Sequence, residues 1–246
     1  MKRLVAFDLD GTLAESKQAV DAEMASLLAR LTHRLSVAVI SGGDWPQFEV
    51  QLLAQLGKDA NLTRLFLMPT SGTKLYRYKD IWRQIYADAL SESERHKIVG
   101  SLEAIVAALG FAQERSWGAR IEDRGTQITF SGLGQEAPPA AKLAWDPTFA
   151  KRQKVQAMLT PLIPGFVVRI GGSTSVDITR EGVDKGYGIT RLAKAADLAL
   201  SDILFMGDAL YPGGNDYAVR GAGVDCIAVR DVEETKHILE AVLLCG

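Results

Sequence analysis

Leu4-Val5-Ala6-Phe7 is an unbroken apolar run that stops at Asp8-Leu9-Asp10-Gly11-Thr12-Leu13. A strand with one face in water alternates apolar and polar side chains. A run without that alternation predicts a strand covered on both faces, as in the middle of a parallel sheet. Val37-Ala38-Val39-Ile40, ending at Ser41-Gly42-Gly43, and Leu65-Phe66-Leu67-Met68 repeat the pattern. Between these runs, Val20, Met24, Leu27, Leu28 and Leu31 recur at helical spacing. Phe48, Leu52, Leu53 and Leu56 do the same and are closed by Gly57. Strand and helix in alternation predict an α/β fold with a doubly wound parallel sheet.

The rhythm changes after residue 82. Ile98, Val99, Leu102, Ile105, Val106 and Leu109 predict a long amphipathic helix ending at Gly110. Arg120 to Phe130 reads as two strands around a glycine turn, Val155, Met158 and Leu159 as a helix, and 166–170 and 175–178 as further strands. Strand pairs with helices grouped apart suggest an antiparallel α+β unit. The first rhythm resumes at Lys185, with a helix from about Gly188 to Leu198 and strands at 203–206 and 226–229. The expected organisation is a discontinuous core, 1–82 and 184–246, interrupted by an α+β insert at 83–183.

Composition narrows the partners. With 28 basic and 30 acidic residues the formal net charge is −2, which gives no general pull toward nucleic acid or an anionic membrane. Cys226 and Cys245 are too few for a disulfide scaffold and are expected reduced. The longest apolar run, Ala104 to Ala112, is about half the length of a membrane helix. The first residues lack the apolar stretch of a signal peptide. A cytoplasmic protein with no nucleic-acid or membrane partner is expected.

In open α/β sheets, ligands bind beyond the carboxyl ends of strands where the strand order reverses. Asp8 and Asp10, two apart in an extended segment, point the same way. Two close carboxylates repel, and a cation or a shared proton relieves them. Three further features follow in order: Ser41 at the second strand's end, Lys185 in Glu181-Gly182-Val183-Asp184-Lys185-Gly186, and Gly207-Asp208 with Asn215-Asp216. Singly, Ser41 and Asn215-Asp216 read as helix caps, Lys185 as a surface lysine and Asp208 as a turn residue. The ordered set at the ends of buried strands outweighs those separate readings.

That set resembles the four motifs of the haloacid dehalogenase superfamily of phosphotransferases and hydrolases. The resemblance implies phosphoryl transfer through an aspartyl-phosphate, which splits one hard step into two easier ones. In it Asp8 is the nucleophile, and Asp10 the general acid and then base. Ser41, Gly42, Lys185 and Asn215 serve the phosphate. Asp8, Asp10 through its backbone carbonyl, Asp208 and Asp216 serve Mg²⁺, a cation that favours hard oxygen ligands.

Pro212-Gly213-Gly214-Asn215-Asp216-Tyr217, Ile121-Glu122-Asp123-Arg124 and Gly171-Gly172-Ser173-Thr174-Ser175-Val176-Asp177 resemble the eukaryotic-type phosphomannomutase branch. That likeness makes the insert a cap, assigns Arg124, Ser175 and Asp177 to the sugar phosphate, and implies a monomer or a cap-mediated homodimer. Trp117 and Gln135 stand where the branch places arginines, and Ala14-Glu15-Ser16-Lys17 lacks another. Arginine binds phosphate bidentately. A mutase must hold a bisphosphate at both ends, whereas a phosphatase needs one phosphate site and water. The expected function is therefore a Mg²⁺-dependent phosphatase acting on a phosphorylated sugar or similar small metabolite. The alternative is a phosphomannomutase-like hexose phosphate mutase. A catalytically silent phospho-ligand binder is a third reading, disfavoured by the intact Asp8/Asp10 pair.

Overall fold

The computed structural model describes residues 1–245, with side chains through 244, so the expectation for the Cys245 thiol lies outside the described side chains. Cys226 is a free thiol. The elements in chain order are β1 (Leu4–Phe7), α1 (Ala22–Thr32), β2 (Ser36–Ile40), α2 (Trp45–Phe48), β3 (Leu65–Met68), β4 (Lys74–Lys79) and β5 (Ile81–Ala87). Then follow α3 (Glu92–Ala108), β6 (Ile121–Asp123), β7 (Ile128–Ser131), α4 (Pro139–Trp145), α5 (Ala150–Leu159), β8 (Phe166–Gly171) and β9 (Ser175–Arg180). The chain closes with α6 (Lys185–Ala196), β10 (Ile203–Gly207), α7 (Tyr217–Gly221), β11 (Asp225–Ala228) and α8 (Val232–Cys245). Two compact units result: Met1–Ala87 with the chain from Val183 onward, and Asp88–Gly182.

In the first unit the sheet order is β11-β10-β1-β2-β3-β4-β5. The first five run parallel; β4 and β5 join as an antiparallel edge hairpin. All four residues of β1 are buried. Val5, Phe7, Val37, Val39, Leu65 and Leu67 pack on one face with Met24, Leu28 and Leu31 of α1 and Leu239 of α8. Leu4, Ala6, Ala38, Ile40, Phe66 and Met68 pack on the other with Ile189 and Leu192 of α6. Apolar residues at consecutive positions thus serve two faces, which is why the strands carry no alternation. The chain adds β2 and β3 on one side of β1, then β10 and β11 on the other. The strand order therefore reverses at the carboxyl end of β1, where Asp8 stands.

Three expectations shift. The boundary at 82 moves to Ala87, because β5 pairs with β4 instead of entering the insert. Trp82 therefore lies in the first unit, against Trp45. The helix expected through Leu56 is α-helical only over Trp45–Phe48 and continues as a π turn, Glu49–Leu53. The helix expected from Gly188 begins three residues earlier, because Asp184 caps it by accepting the Tyr187 N–H at 2.8 Å. Lys185 is thereby its first residue.

The loop after β3 and the start of α6 approach closely. Gly72 has φ +86°, and a Cβ on Gly188 would stand 2.6 Å from the Ser71 carbonyl oxygen. Only glycine fits at both positions.

In the second unit, an antiparallel sheet of order β6-β7-β9-β8 carries two unlike faces. Ile128, Phe130, Val176 and Ile178 pack with Ile98 and Leu102 of α3 and Val155 of α5. A row of paired residues, Glu122, Thr129, Asp177 and Arg169, crosses all four strands with polar side chains. Arg152, 1% exposed, donates through Nε to Asp146 at 2.8 Å and through Nη1 to the carbonyls of Gly171 and Gly172, bracing the β8–β9 turn. Burial works against the Asp146 charge, yet the hydrogen bonds from Arg152 and the Lys151 N–H hold its carboxyl below the usual 3.8. Among the described residues no helix is long and apolar enough to cross a membrane.

Two measurements test this packing. Gly188→Ala is expected to cost about 1–3 kcal/mol in urea unfolding, because backbone must move to admit the methyl. Arg152→Leu is expected to cost about 3–5 kcal/mol at pH 7, because it leaves Asp146 buried and unpaired. A carboxyl with a depressed folded pKa stabilises above its unfolded value and loses that contribution as pH falls through the folded one. Acidification from pH 7 to pH 3 should therefore narrow the gap between wild type and Arg152→Leu; a constant gap would count against the ion pair.

Candidate active site

Asp8 follows β1 and is buried, its side chain 6% exposed. Lys185, at the start of α6, is equally enclosed, and its Nζ lies 2.6 Å from Asp8 Oδ1 and 2.6 Å from Asp216 Oδ1. The other oxygen of Asp216 accepts the Ala209 N–H at 3.1 Å. Asp208 follows β10, its N–H donating to Thr12 Oγ1 at 3.1 Å. Asp8, Asp208 and Asp216 each place one oxygen within 4.8 Å of the others. Gly11, with φ +84°, lets the loop after β1 pass Asp208; a Cβ there would meet Asp208 Oδ2 at 2.6 Å.

Two of the three carboxylates, Asp8 and Asp216, thus share one ammonium, and Asp208 lies beside them. Burial pushes Asp8 up to about 7, with Asp216 adding to the shift and Lys185 opposing it. Burial and Asp216 also raise Asp208. Burial alone would lower Lys185, but Asp8 and Asp216 outweigh it and raise the ammonium to about 12. Hard oxygen donors with uncompensated negative charge suit a divalent cation such as Mg²⁺.

Asp10 stands apart from this cluster. It lies beyond the strand, and its carboxylate accepts the Lys17 N–H at 2.6 Å, Gln47 Nε2 at 3.0 Å and Gln51 Nε2 at 3.3 Å. Asp10 lies outside the Asp8–Asp208–Asp216 group, but near enough that its charge adds to the forces raising Asp208. The two glutamines were missed by sequence reasoning. Their signal is the four-residue spacing just after the second strand.

Ser41 is buried at the end of β2, its Oγ accepting the Gly43 N–H at 3.2 Å. The N-cap of α2 is Asp44, so Ser41 is not that helix's cap. Gly42 follows, half-buried. The chain after β3 straps this turn. Ser71 N–H donates to the Ser41 carbonyl and Thr70 N–H to that of Gly43, both at 2.8 Å, and Lys74 pairs with Asp44 at 2.6 Å. Thr70 and Ser71 sit at φ 50° and 58°, conformations that non-glycine residues retain where surrounding structure holds them. Asn215 is exposed, and its neighbour Asp216 is the residue that meets Lys185.

The second unit holds the remaining expected residues. Arg124 pairs with Glu122 through Nε and Nη2, at 3.0 and 2.7 Å. Asp177 accepts from Gln127 Nε2 at 3.0 Å and Thr129 Oγ1 at 2.7 Å. Ser175 opens β9, opposite Ser131 and Gly171. The Trp117 ring lies under the Arg115 guanidinium at 4.4 Å, and the Gln135 N–H bonds to the Ala119 carbonyl at 3.1 Å.

Known proteins share this plan. The fold resembles that of a Plasmodium falciparum IMP-nucleotidase, with a TM-score of 0.71 at 15% identity over all of this chain and 71% of that one. It also resembles a trehalose-6-phosphate phosphatase related protein, with a TM-score of 0.59 at 17% identity, covering 99% and 98% of the two chains. In sequence the chain is 28% identical over 225 residues to a phosphomannomutase of Schizosaccharomyces pombe, spanning 89% of this chain and 85% of that protein. It is 27% identical to phosphomannomutase 1 of Homo sapiens, over 88% and 82% of the two chains. Residues 24–245 match the eukaryotic phosphomannomutase family, and the chain belongs to that family, within the haloacid dehalogenase superfamily.

Proposed function

We propose that the protein is a Mg²⁺-dependent phosphotransferase that takes a phosphoryl group from a phosphorylated sugar onto Asp8 and delivers it to water. The observation that carries this reading is the buried Asp8–Lys185–Asp216 bridge beside Asp208. Lys185 engages Asp8 Oδ1, so the second oxygen is the attacking atom. As the P–O bond to the sugar breaks, Asp10 gives its proton to the leaving oxygen. It then takes one from the water that opens the aspartyl-phosphate. The Lys185 ammonium and the Ser41 turn meet the phosphate oxygens and stabilise charge in the transition state. Asp8, Asp208 and Asp216 would hold a divalent cation, which would supply charge neutralisation and orient the phosphoryl group.

Water as acceptor is supported by Trp117 and Gln135, which stand where the branch carries arginines. An indole and a carboxamide lack the bidentate fork that grips a second phosphate. A second reading, a hexose phosphate mutase, is favoured by family membership and by the names of the relatives. In that case the phosphoryl group returns from Asp8 to another hydroxyl of the sugar.

A panel of hexose phosphates with Mg²⁺, tried with and without a hexose 1,6-bisphosphate, separates the two. Free phosphate without isomer is the expected result. Isomer with little phosphate would establish the mutase, and neither product a silent binder. Asp8→Asn should abolish turnover while leaving the melting curve intact. Asp10→Asn should slow it by about 10²–10⁴-fold, the usual worth of a positioned acid.

A further inference from the structure

Asp10 carries the proton in the reading above, and this inference rests on that role. The Asp10 carboxylate is gripped from one direction by α2 and its π-turn continuation. Gln47 Nε2 reaches Oδ2 at 3.0 Å, and Gln51 Nε2 reaches Oδ1 at 3.3 Å. The Lys17 N–H adds a third bond to Oδ1 at 2.6 Å, presented by a residue at φ 60°. A carboxylate beyond a strand end turns freely about χ1 and χ2 unless its oxygens are held. Two amides and a backbone N–H on two different oxygens fix both torsions.

Gln51 shows that this grip is not incidental. Its side chain is buried, 3% exposed. Its Nε2 also donates to the Gln18 carbonyl at 2.6 Å, tying the loop after β1 to the π turn that follows α2. Yet its Oε1 is buried without a hydrogen-bond partner. An apolar side chain would fill that space without the orphaned acceptor, so the retained amide points to a use for its donor end. The π turn is the second sign. It inserts extra width between Phe48 and Ala54, and such turns collect at functional sites.

We propose that Gln47 and Gln51 are positioning residues for Asp10, setting the direction in which its carboxyl delivers the proton to the leaving oxygen. Their side-chain amides donate to Asp10 and to the Gln18 carbonyl, not to Asp8, Asp208 or Asp216. Their contribution therefore belongs to the proton-transfer half of the step and leaves attack by Asp8 unaided. Amides suit this work because they are neutral and add no charge beside Asp10.

Leaving-group dependence isolates that half. A weakly basic leaving group departs without a proton, and a strongly basic one needs it. The probes are 2,4-dinitrophenyl phosphate and phenyl phosphate, each followed for the first release of its phenol under Mg²⁺ in wild type, Gln47→Ala, Gln51→Leu and the double variant. Circular dichroism and melting verify folding, and half-buried Gln47 serves if Gln51→Leu proves unstable. The double variant should slow phenol release by about 10²-fold and dinitrophenol release by less than about 3-fold, and Asp10→Asn should show the same asymmetry. Equal slowing of both probes in the glutamine variants, with the asymmetry kept in Asp10→Asn, would overturn the positioning role alone. Loss of the asymmetry in Asp10→Asn itself would overturn the acid assignment on which the inference rests.

Discussion

One ammonium shared by two buried carboxylates organises the core. Lys185 sits at the first position of α6, where the helix dipole disfavours a cation, and it is nearly out of contact with solvent. Desolvating such a charge costs several kcal/mol or more, and removing one partner of a buried pair leaves the other stranded. Asp8 and Asp216, each 2.6 Å away, make the position tolerable. Bringing them together demands much of the fold. Asp8 must end a strand buried on both faces, α6 must start at Asp184, and its Gly188 must lie against the loop at Gly72. The glycines at 11, 72 and 188 are there because backbone or a carboxylate occupies the space of a side chain.

Charge explains why such a site needs a ligand. With one ammonium for three carboxylates, the cluster is held in its least comfortable state, and Asp8 and Asp208 are both pushed toward protonation. A divalent cation held there would relieve the carboxylates and make room for an anionic phosphate. A near-neutral protein could then take an anionic substrate, because the positive charge would be supplied at the point of use. The cap-like unit divides its labour differently. Its apolar sheet face makes a core, and its polar face holds Arg124 and Asp177 in hydrogen-bonded positions.

Much of this was legible because burial on both sides of a sheet writes itself as consecutive apolar residues. β1, β2, β3 and β10 all carry that signature. The β4–β5 hairpin does not. Lys74, Arg77, Lys79 and Arg83 make its pattern read as surface, and as the sheet's edge it leaves Ile81 and Ile85 exposed. Motif order located Asp8, Ser41, Lys185 and Asp208. It gave Asn215 to the phosphate and Asp216 to the metal, and it is contact geometry that shows Asp216 paired with Lys185. The partners of Asp10 were hidden for a different reason. Gln47 and Gln51 carry no charge and match no motif, and their spacing alone does not point to a carboxylate as far back in the chain as Asp10.

The central claim is that Asp8 becomes covalently phosphorylated. Rapid acid quench of the protein with Mg²⁺ and a ³²P-labelled turnover substrate, followed by peptide mapping, tests it directly. The account predicts a hydroxylamine-labile label on the peptide containing Asp8, absent from Asp8→Asn. Phosphate release at the full rate with no label on that peptide would mean that water attacks the substrate directly, and the nucleophile assignment would fall.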